Sequence, residues 1–329
     1  YCLVTLAIAQ VAPSAILIFS ICYPLVADFC RKNNQSPSKA MFSIVLICIC
    51  TVTSLPIGSG ATSYITANSL WETYGITFKE GMFDPMLVYL PTIILSVLFA
   101  MFYCPKVAPD YGPLYTDVQL KQKPLDPFRE FMGYGIFVAV VIAILFSDKL
   151  PATIPTWMIC FIGAVLTILT GVLSEKEAMQ ALTMPPIFLY IGSLAVGNAL
   201  VASGAGTYLA EAIQSLLGDN PSKWVVIILF WVAGFIVTQF MSNMALYSAL
   251  TPVVLLMCAT YGWNPTGLSN MLFKATFTSY LTPLSTVAIP LCMAVGGYKQ
   301  KDLLRMGLIP ALTISVANIL WVGFMFPPC

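Results

Sequence analysis

Ser242-Asn243-Met244 interrupts an apolar run, and Pro252 follows the serine by ten residues and Pro265 comes thirteen after that. The chain holds the same signature 228 positions earlier: Ser14-Ala15-Ile16, then Pro24 and Pro37 at the same two spacings. Each copy leads into a long apolar segment that is broken in its middle. The first break reads Leu55-Pro56-Ile57-Gly58-Ser59-Gly60-Ala61-Thr62, and the second reads Leu281-Thr282-Pro283-Leu284-Ser285-Thr286. An internal repeat of interrupted membrane segments is the sequence mark of a secondary transporter, and the interruptions mark its binding site.

Composition agrees. The chain is 59% hydrophobic and 9% charged, which describes a polytopic membrane protein with no soluble domain in view. Its 21 glycines and 23 prolines sit within apolar runs, where membrane helices tolerate them. A net charge of +1 suggests no nucleic-acid partner. Histidine is absent, so histidine proton relays, histidine metal sites and Ser-His triads are excluded. The ten cysteines are scattered, and the C-x-C of Cys48 and Cys50 has no second pair at zinc spacing. They read as small packing residues. The chain opens at Tyr1 inside an apolar stretch and is read as lacking its native N-terminus, with no recognisable signal peptide.

A spanning helix needs ~20 apolar residues. Segments 83–104, 131–147, 154–172, 184–215 and 303–326 qualify, and 40–68 and 267–296 qualify apart from their breaks. The 154–172 span stops at Gly171, and Ser174 with Glu177 three residues on forms a capping-box pattern for the next helix. Segments 1–29 and 223–259 remain. The second is either one long crossing or a re-entrant hairpin with Asn243 near its tip. Charge decides: the hairpin puts loops 30–39, 105–130, 173–183 and 297–302 on one side, and with Arg305 they hold most of the 15 Lys and Arg. By the positive-inside rule that side is cytoplasmic, and the C-terminus is extracytoplasmic. Segment 1–29 is then the second half of a matching hairpin entering from the cytoplasm. The predicted fold is therefore an all-α polytopic membrane protein, an inverted-repeat transporter with two re-entrant hairpins and two broken helices. The first repeat, incomplete, covers 1–104; a cytoplasmic linker covers 105–130; the second repeat covers 131–329.

Irregular backbone at bilayer depth is tolerated only where protein or a water-filled cavity satisfies it. Helix N-termini there suit a carboxylate or sulfate, and helix C-termini with freed carbonyls suit a small cation. Lys274 lies in the arm leading to the second break. It could supply charge to an anion, replace a bound sodium, snorkel to the outer interface, or pair structurally. Glu72, Lys79, Glu80 and Asp84 read as a wet loop, and Trp71, Trp224 and Trp321 as interfacial anchors. The glycines of 184–215 read as helix-packing residues, and Glu211 as solvated.

Ser242-Asn243, the proline ten residues on, the broken helices, Tyr190-Ile191-Gly192-Ser193 and Lys301-Asp302-Leu303-Leu304 together resemble the divalent anion:sodium symporters, the di- and tricarboxylate and sulfate transporters. The resemblance covers nearly the whole chain. It implies that two hairpin tips and two helix breaks hold sodium and share the anion's carboxylates, in a homodimer working by elevator motion. Carried over by position, Ser242, Asn243, Ser14, Thr62, Thr66, Asn68, Ser285, Thr286 and Lys274 are substrate candidates. Ser242, Asn243, Thr282, Ser14, Gly58 and Ser59 are sodium candidates. Departures from the pattern are Met244 for threonine, Ala15-Ile16 for asparagine-threonine, and Val287-Ala288-Ile289 for Pro-Pro-Asn. The first-tip departures put the first sodium site in question, and Lys274 makes a sodium-independent exchanger conceivable.

The expected function is secondary active transport of a small di- or tricarboxylate, with sodium as coupling ion and no further cofactor. An exchanger, a sulfate or arsenite permease and a sodium/proton antiporter are the transporter alternatives, though no buried carboxylate for proton antiport stands out. An ion channel with facing re-entrant loops is the alternative from another class. An intramembrane enzyme lacks its residues: there is no H-E-x-x-H and no intramembrane aspartate pair.

Overall fold

The computed structural model describes residues 1–11, 14–56, 60, 63–111, 126–145, 156–181 and 221–328, with isolated positions between 191 and 218. Most of the 184–215 span, including Glu211, lies outside the described residues, as do Gly58, Ser59 and Thr62. The described residues form helices and connecting turns, with no strand among them.

The chain divides into two compact units, one of 1–116 with 189–329 and one of 117–188. The first unit draws on residues from both ends of the chain. That unit opens with α1 (Cys2–Val11), α2 (Ala15–Lys32), α3 (Met41–Thr51), α4 (Ser63–Thr73) and α5 (Asp84–Leu98). A π-helical turn, Phe99–Tyr103, carries α5 into the short α6 (Cys104–Val107). The second unit holds α7 (Pro127–Leu145), α8 (Thr156–Leu169) and α9 (Glu175–Ala181). The first unit resumes with α10 (Lys223–Val237), α11 (Asn243–Tyr261), α12 (Thr266–Phe277), α13 (Ala288–Gly296) and α14 (Gln300–Met325).

The helix order of α1–α5 recurs in α10–α14. Ser14 immediately precedes α2, and Ser242 is the N-cap of α11. Pro24 and Pro252 lie inside those helices, while Pro37 opens a single 3₁₀ turn before α3 and Pro265 caps α12. Proline fits at a helix start because the N–H it lacks would have no intrahelical partner there.

Burial sorts the helices into inner and outer. Every residue of α3 is buried, and so is nearly all of α12. Outside them α14 buries Leu303, Met306, Ala311 and Ile314 on one face, yet exposes Leu304, Leu308, Leu312, Val316, Leu320 and Phe324 on the other. A helix apolar on both faces with one face unpacked has lipid as its natural solvent. Among the described residues three helices are long and apolar enough to cross a bilayer: Asp84–Val107, Asn243–Tyr261 and Gln300–Met325. The protein is an integral, polytopic membrane protein.

Segment 223–259 is not one continuous helix. Residues 238–242 form a turn between α10 and α11. At the start of α10 the Trp224 ring packs on Phe324, 5.2 Å between centroids, and leaves no room for a side chain at Gly323. Beyond the end of α11 the Asn264 N–H donates to the Pro328 carbonyl at 3.1 Å, and Gly267 lies against Phe326. Both ends of the helix pair therefore sit at the C-terminal end of α14. The turn between them reaches Thr278 and Leu281, and Leu281 packs near Gly307, toward the other end of α14. With 15 residues, α10 spans ~22 Å, short of the ~30 Å hydrocarbon core.

In the second unit the Ser174 capping box forms as its spacing predicts: the Ser174 N–H donates to Glu177 at 2.8 Å and the Glu177 N–H to Ser174 Oγ at 3.3 Å. The preceding turn runs through Gly171 at φ 72°, a left-handed conformation suited to glycine at a helix end. A methyl at Gly163 on α8 would lie 2.5 Å from Val140 of α7, so the glycine permits that close crossing.

Candidate functional site at the two helix breaks

Both inner helices stop inside the first unit, and each stop leaves carbonyls without intrahelical partners. Two glutamines meet that need in the same way. Gln10, in the last turn of α1, donates from Nε2 to the Leu6 carbonyl at 3.0 Å and the Thr51 carbonyl at 3.2 Å. Its Oε1 accepts from the Leu55 N–H at 3.1 Å. Gln239, just past α10, donates to the Phe235 carbonyl at 3.0 Å and the Thr278 carbonyl at 2.9 Å, and accepts from the Leu281 N–H at 3.2 Å. Gln10 thus ties the end of α1 to the end of α3, and Gln239 ties the turn after α10 to the end of α12. Thr51 and Thr278 match further: each hydroxyl donates at 2.8 Å to the carbonyl four residues back, Ile47 and Lys274.

The second tip makes two more contacts with the second break. Thr238 Oγ1 donates to the Thr276 carbonyl at 2.6 Å and lies 3.1 Å from the Asn243 side-chain amide. A hydroxyl has one proton, so the Asn243 amide fits best with its NH₂ toward Thr238. The Thr282 hydroxyl donates to the Gln239 carbonyl. Ser285 Oγ is 2.8 Å from the Ser279 carbonyl and 3.1 Å from that of Thr282, which folds the break upon itself. The structure therefore gathers Asn243, Thr282 and Ser285 around one turn, with Ser242 exposed beside them and Thr286 half-buried. Ser14 occupies the matching place before α2, half-buried, its carbonyl accepting from the Ile18 N–H at 3.0 Å. At this second break Ser279 Oγ and Tyr280 OH are buried without a hydrogen-bond partner.

Lys274 is 1% exposed, so the snorkelling alternative is overturned. The side chain leaves α12 and ends at the C-terminus of α3. Its ammonium donates to the Cys50 carbonyl at 3.2 Å, the Val52 carbonyl at 3.2 Å and Ser54 Oγ at 2.7 Å. The Tyr89 ring face lies 4.2 Å from Nζ. An ammonium has three donors, and all three are used on neutral oxygens. Burying an unpaired charge costs several kcal/mol, which here the helix-end carbonyls and the aromatic face offset. Thr53, inside this turn, has φ of 54°, a left-handed conformation that a β-branched residue adopts only under constraint.

Two candidates from the α4 region lie elsewhere. Asn68 holds a loop: its Nδ2 donates to the Glu80 carbonyl at 2.9 Å and its Oδ1 accepts from the Glu80 N–H at 2.7 Å. Thr66, two residues earlier, is exposed. Glu80 departs from the wet-loop reading. It is 4% exposed and accepts from Asn270 Nδ2, whose Oδ1 takes a proton from Tyr89 OH at 2.7 Å. Burial pushes its carboxyl up to about 7. Trp71 is likewise a core residue, 1% exposed, rather than an interfacial anchor.

Sequence reasoning missed Gln10, Gln239 and Glu80. The glutamines carried a faint signal, since each precedes its serine by three or four residues in an apolar run, but with a one-residue difference in spacing.

The family model described as "Citrate transporter" matches residues 1–278. An uncharacterized transporter of Haemophilus influenzae is 22% identical over 327 residues, covering 92% of this chain and 67% of its own. An uncharacterized transporter of Synechocystis is 26% identical over 209 residues, 63% of this chain and 33% of its own. The sodium-dependent dicarboxylate transporter SdcS of Staphylococcus aureus (strain USA300) is 25% identical over 276 residues, 77% of this chain and 52% of its own. The alignments thus take in between a third and two thirds of these relatives. With a family match across most of its length, the chain belongs to the citrate transporter family, a family of transporters rather than enzymes.

Proposed function

We propose that the protein is a secondary active transporter of a small di- or tricarboxylate, coupled to sodium at its second helix break and working by alternating access. One observation carries the reading: Gln10 ties the end of α1 to the end of α3, and Gln239 ties the turn after α10 to the end of α12, at matching atoms. This doubling supports a binding centre shared between two repeats, which a single-sided pore would not need. Helix starts at Ser14 and Ser242 offer N–H groups to carboxylates. The carbonyl-rich second break with Thr282 and Ser279 offers oxygen ligands to a sodium ion. Family membership favours citrate or a dicarboxylate over sulfate or arsenite. The Staphylococcus relative is a sodium-dependent transporter, which supports cation coupling. A homodimer with elevator motion rests on the resemblance alone.

The test is uptake of labelled citrate and succinate by the full-length protein in proteoliposomes, with and without a sodium gradient. Concentrative, sodium-stimulated uptake is expected. Equilibration without concentration would instead indicate a channel. Asn243→Ala should reduce uptake at least tenfold while inserting normally, because the tip loses a buried amide. Wild-type transport by that variant would remove the tip from the site.

A further inference from the structure

We infer that Lys274 is a tethered cation that fills the first helix break, so that exchangeable sodium binds only at the second. The inference rests on the transport reading above and specifies its coupling.

The first break has the features of a cation cage. Two main-chain carbonyls and one hydroxyl converge on a point where the α3 C-terminus contributes partial negative charge. An aromatic face closes one side. Nothing in that set bears a formal negative charge, so it does not form an ordinary salt bridge. It is the arrangement that a small monovalent cation would receive, and Nζ sits in it with all three donors in use.

The second break lacks such a lysine. The matched glutamine and threonine contacts give the register between the repeats: Thr51 corresponds to Thr278. Four residues before Thr278 stands Lys274, and four before Thr51 stands Ile47, an apolar side chain. So α12 sends a cation to the break of α3, while α3 sends none to the break of α12. At the second break Ser279 Oγ is buried without a protein partner, one of eight such side-chain atoms among the described residues. Buried oxygens of that kind are rare unless water or an ion satisfies them. One break receives a lysine ammonium, and the other receives no side-chain cation among the described residues.

A cage filled by a side chain does not release its cation during transport. The sodium count is therefore one lower than for a site pair with two free breaks. The same reasoning separates two substitutions. Lys274→Ala vacates the cage and leaves its oxygens to recruit sodium, whereas Lys274→Met occupies it with an apolar chain.

The experiment uses the full-length protein with two readouts. Sodium dependence of anion uptake gives a Hill slope, and thermal unfolding in detergent, with sodium against N-methylglucamine, reports binding without transport. Wild type should give a slope no greater than one. Lys274→Ala should raise the slope by about one, or recover folding only in high sodium, and its sodium-induced thermal shift should exceed that of wild type. Lys274→Met should show no gain. A wild-type slope of two or more overturns the inference, as does a folded Lys274→Ala variant no more responsive to sodium than wild type. Should Lys274→Ala fail to fold at any sodium concentration, the wild-type slope alone decides. Absence of anion uptake by wild type would count against the proposed function, while the thermal readout would still test the cage.

Discussion

At the scale of single residues, the glutamines decide whether the tips are held. Gln239 lies 6% exposed and supplies two donors and one acceptor to backbone groups that no helix satisfies. Removing it leaves the Thr278 carbonyl and the Leu281 N–H unpaired, at ~1–3 kcal/mol for each buried group. Gln239→Ala should therefore lower both the melting temperature and the uptake rate, and Gln10→Ala should do the same from the other repeat. Gln239→Glu keeps the shape but has at most one proton to donate where the amide gives two, and it too should lose transport. Uptake by Gln239→Glu at the wild-type rate would show that the clamp is dispensable. The sequence hid these residues for a physical reason. Their partners are main-chain atoms about forty residues away, and main-chain atoms have no side-chain signature. Lys274 was conspicuous as a lysine in an apolar span, yet its acceptors lie more than 200 residues away and two of the three are again carbonyls.

At the scale of elements, the breaks and turns were legible because unusual backbone needs particular residues. Serine before a helix and proline at its opening are signals of local geometry, and Ser14, Ser242, Pro37 and Pro265 fall where those signals put them. The loop before α5 was misread because charged residues between spans are ordinarily solvated. Asn68 of α4 and Asn270 of α12 draw Glu80 inward instead. Its carboxyl is raised from an ordinary value of 4.5 to about 7, chiefly by burial, while the Asn270 bond pulls the other way and Asp84 adds to the rise. The folded protein thus holds a proton that the unfolded chain releases. Stability falls as pH rises between about 4.5 and about 7, and the full cost is present above that window. Glu80→Gln keeps an acceptor for Asn270 and removes the ionisation. It should match wild type near pH 4 and melt several degrees higher at pH 8, a difference of ~3 kcal/mol. Equal melting temperatures at pH 8 would mean that the carboxylate is solvated after all.

At the scale of the whole molecule, the weightiest claim is that the 223–261 helix pair enters and leaves the membrane on one side. The proximity of Trp224 to Phe324 and of Asn264 to Pro328 supports this. The length of α10 supports it as well, since its 15 residues fall short of a crossing. Lysine and arginine placement points the same way, since a simple crossing would carry Lys299, Lys301 and Arg305 to the poorly charged side. Single cysteines at Ser222 and Gly262, in a background without native cysteine, give a direct check with impermeant thiol reagents. Both should react from the side opposite a cysteine at Lys301, because α14, at 26 residues, is long enough to separate them by a full bilayer. If Ser222 and Gly262 label from different sides, the pair spans the membrane. The second tip would then have no reason to stop beside the second break, and the shared anion centre would lose one of its two walls.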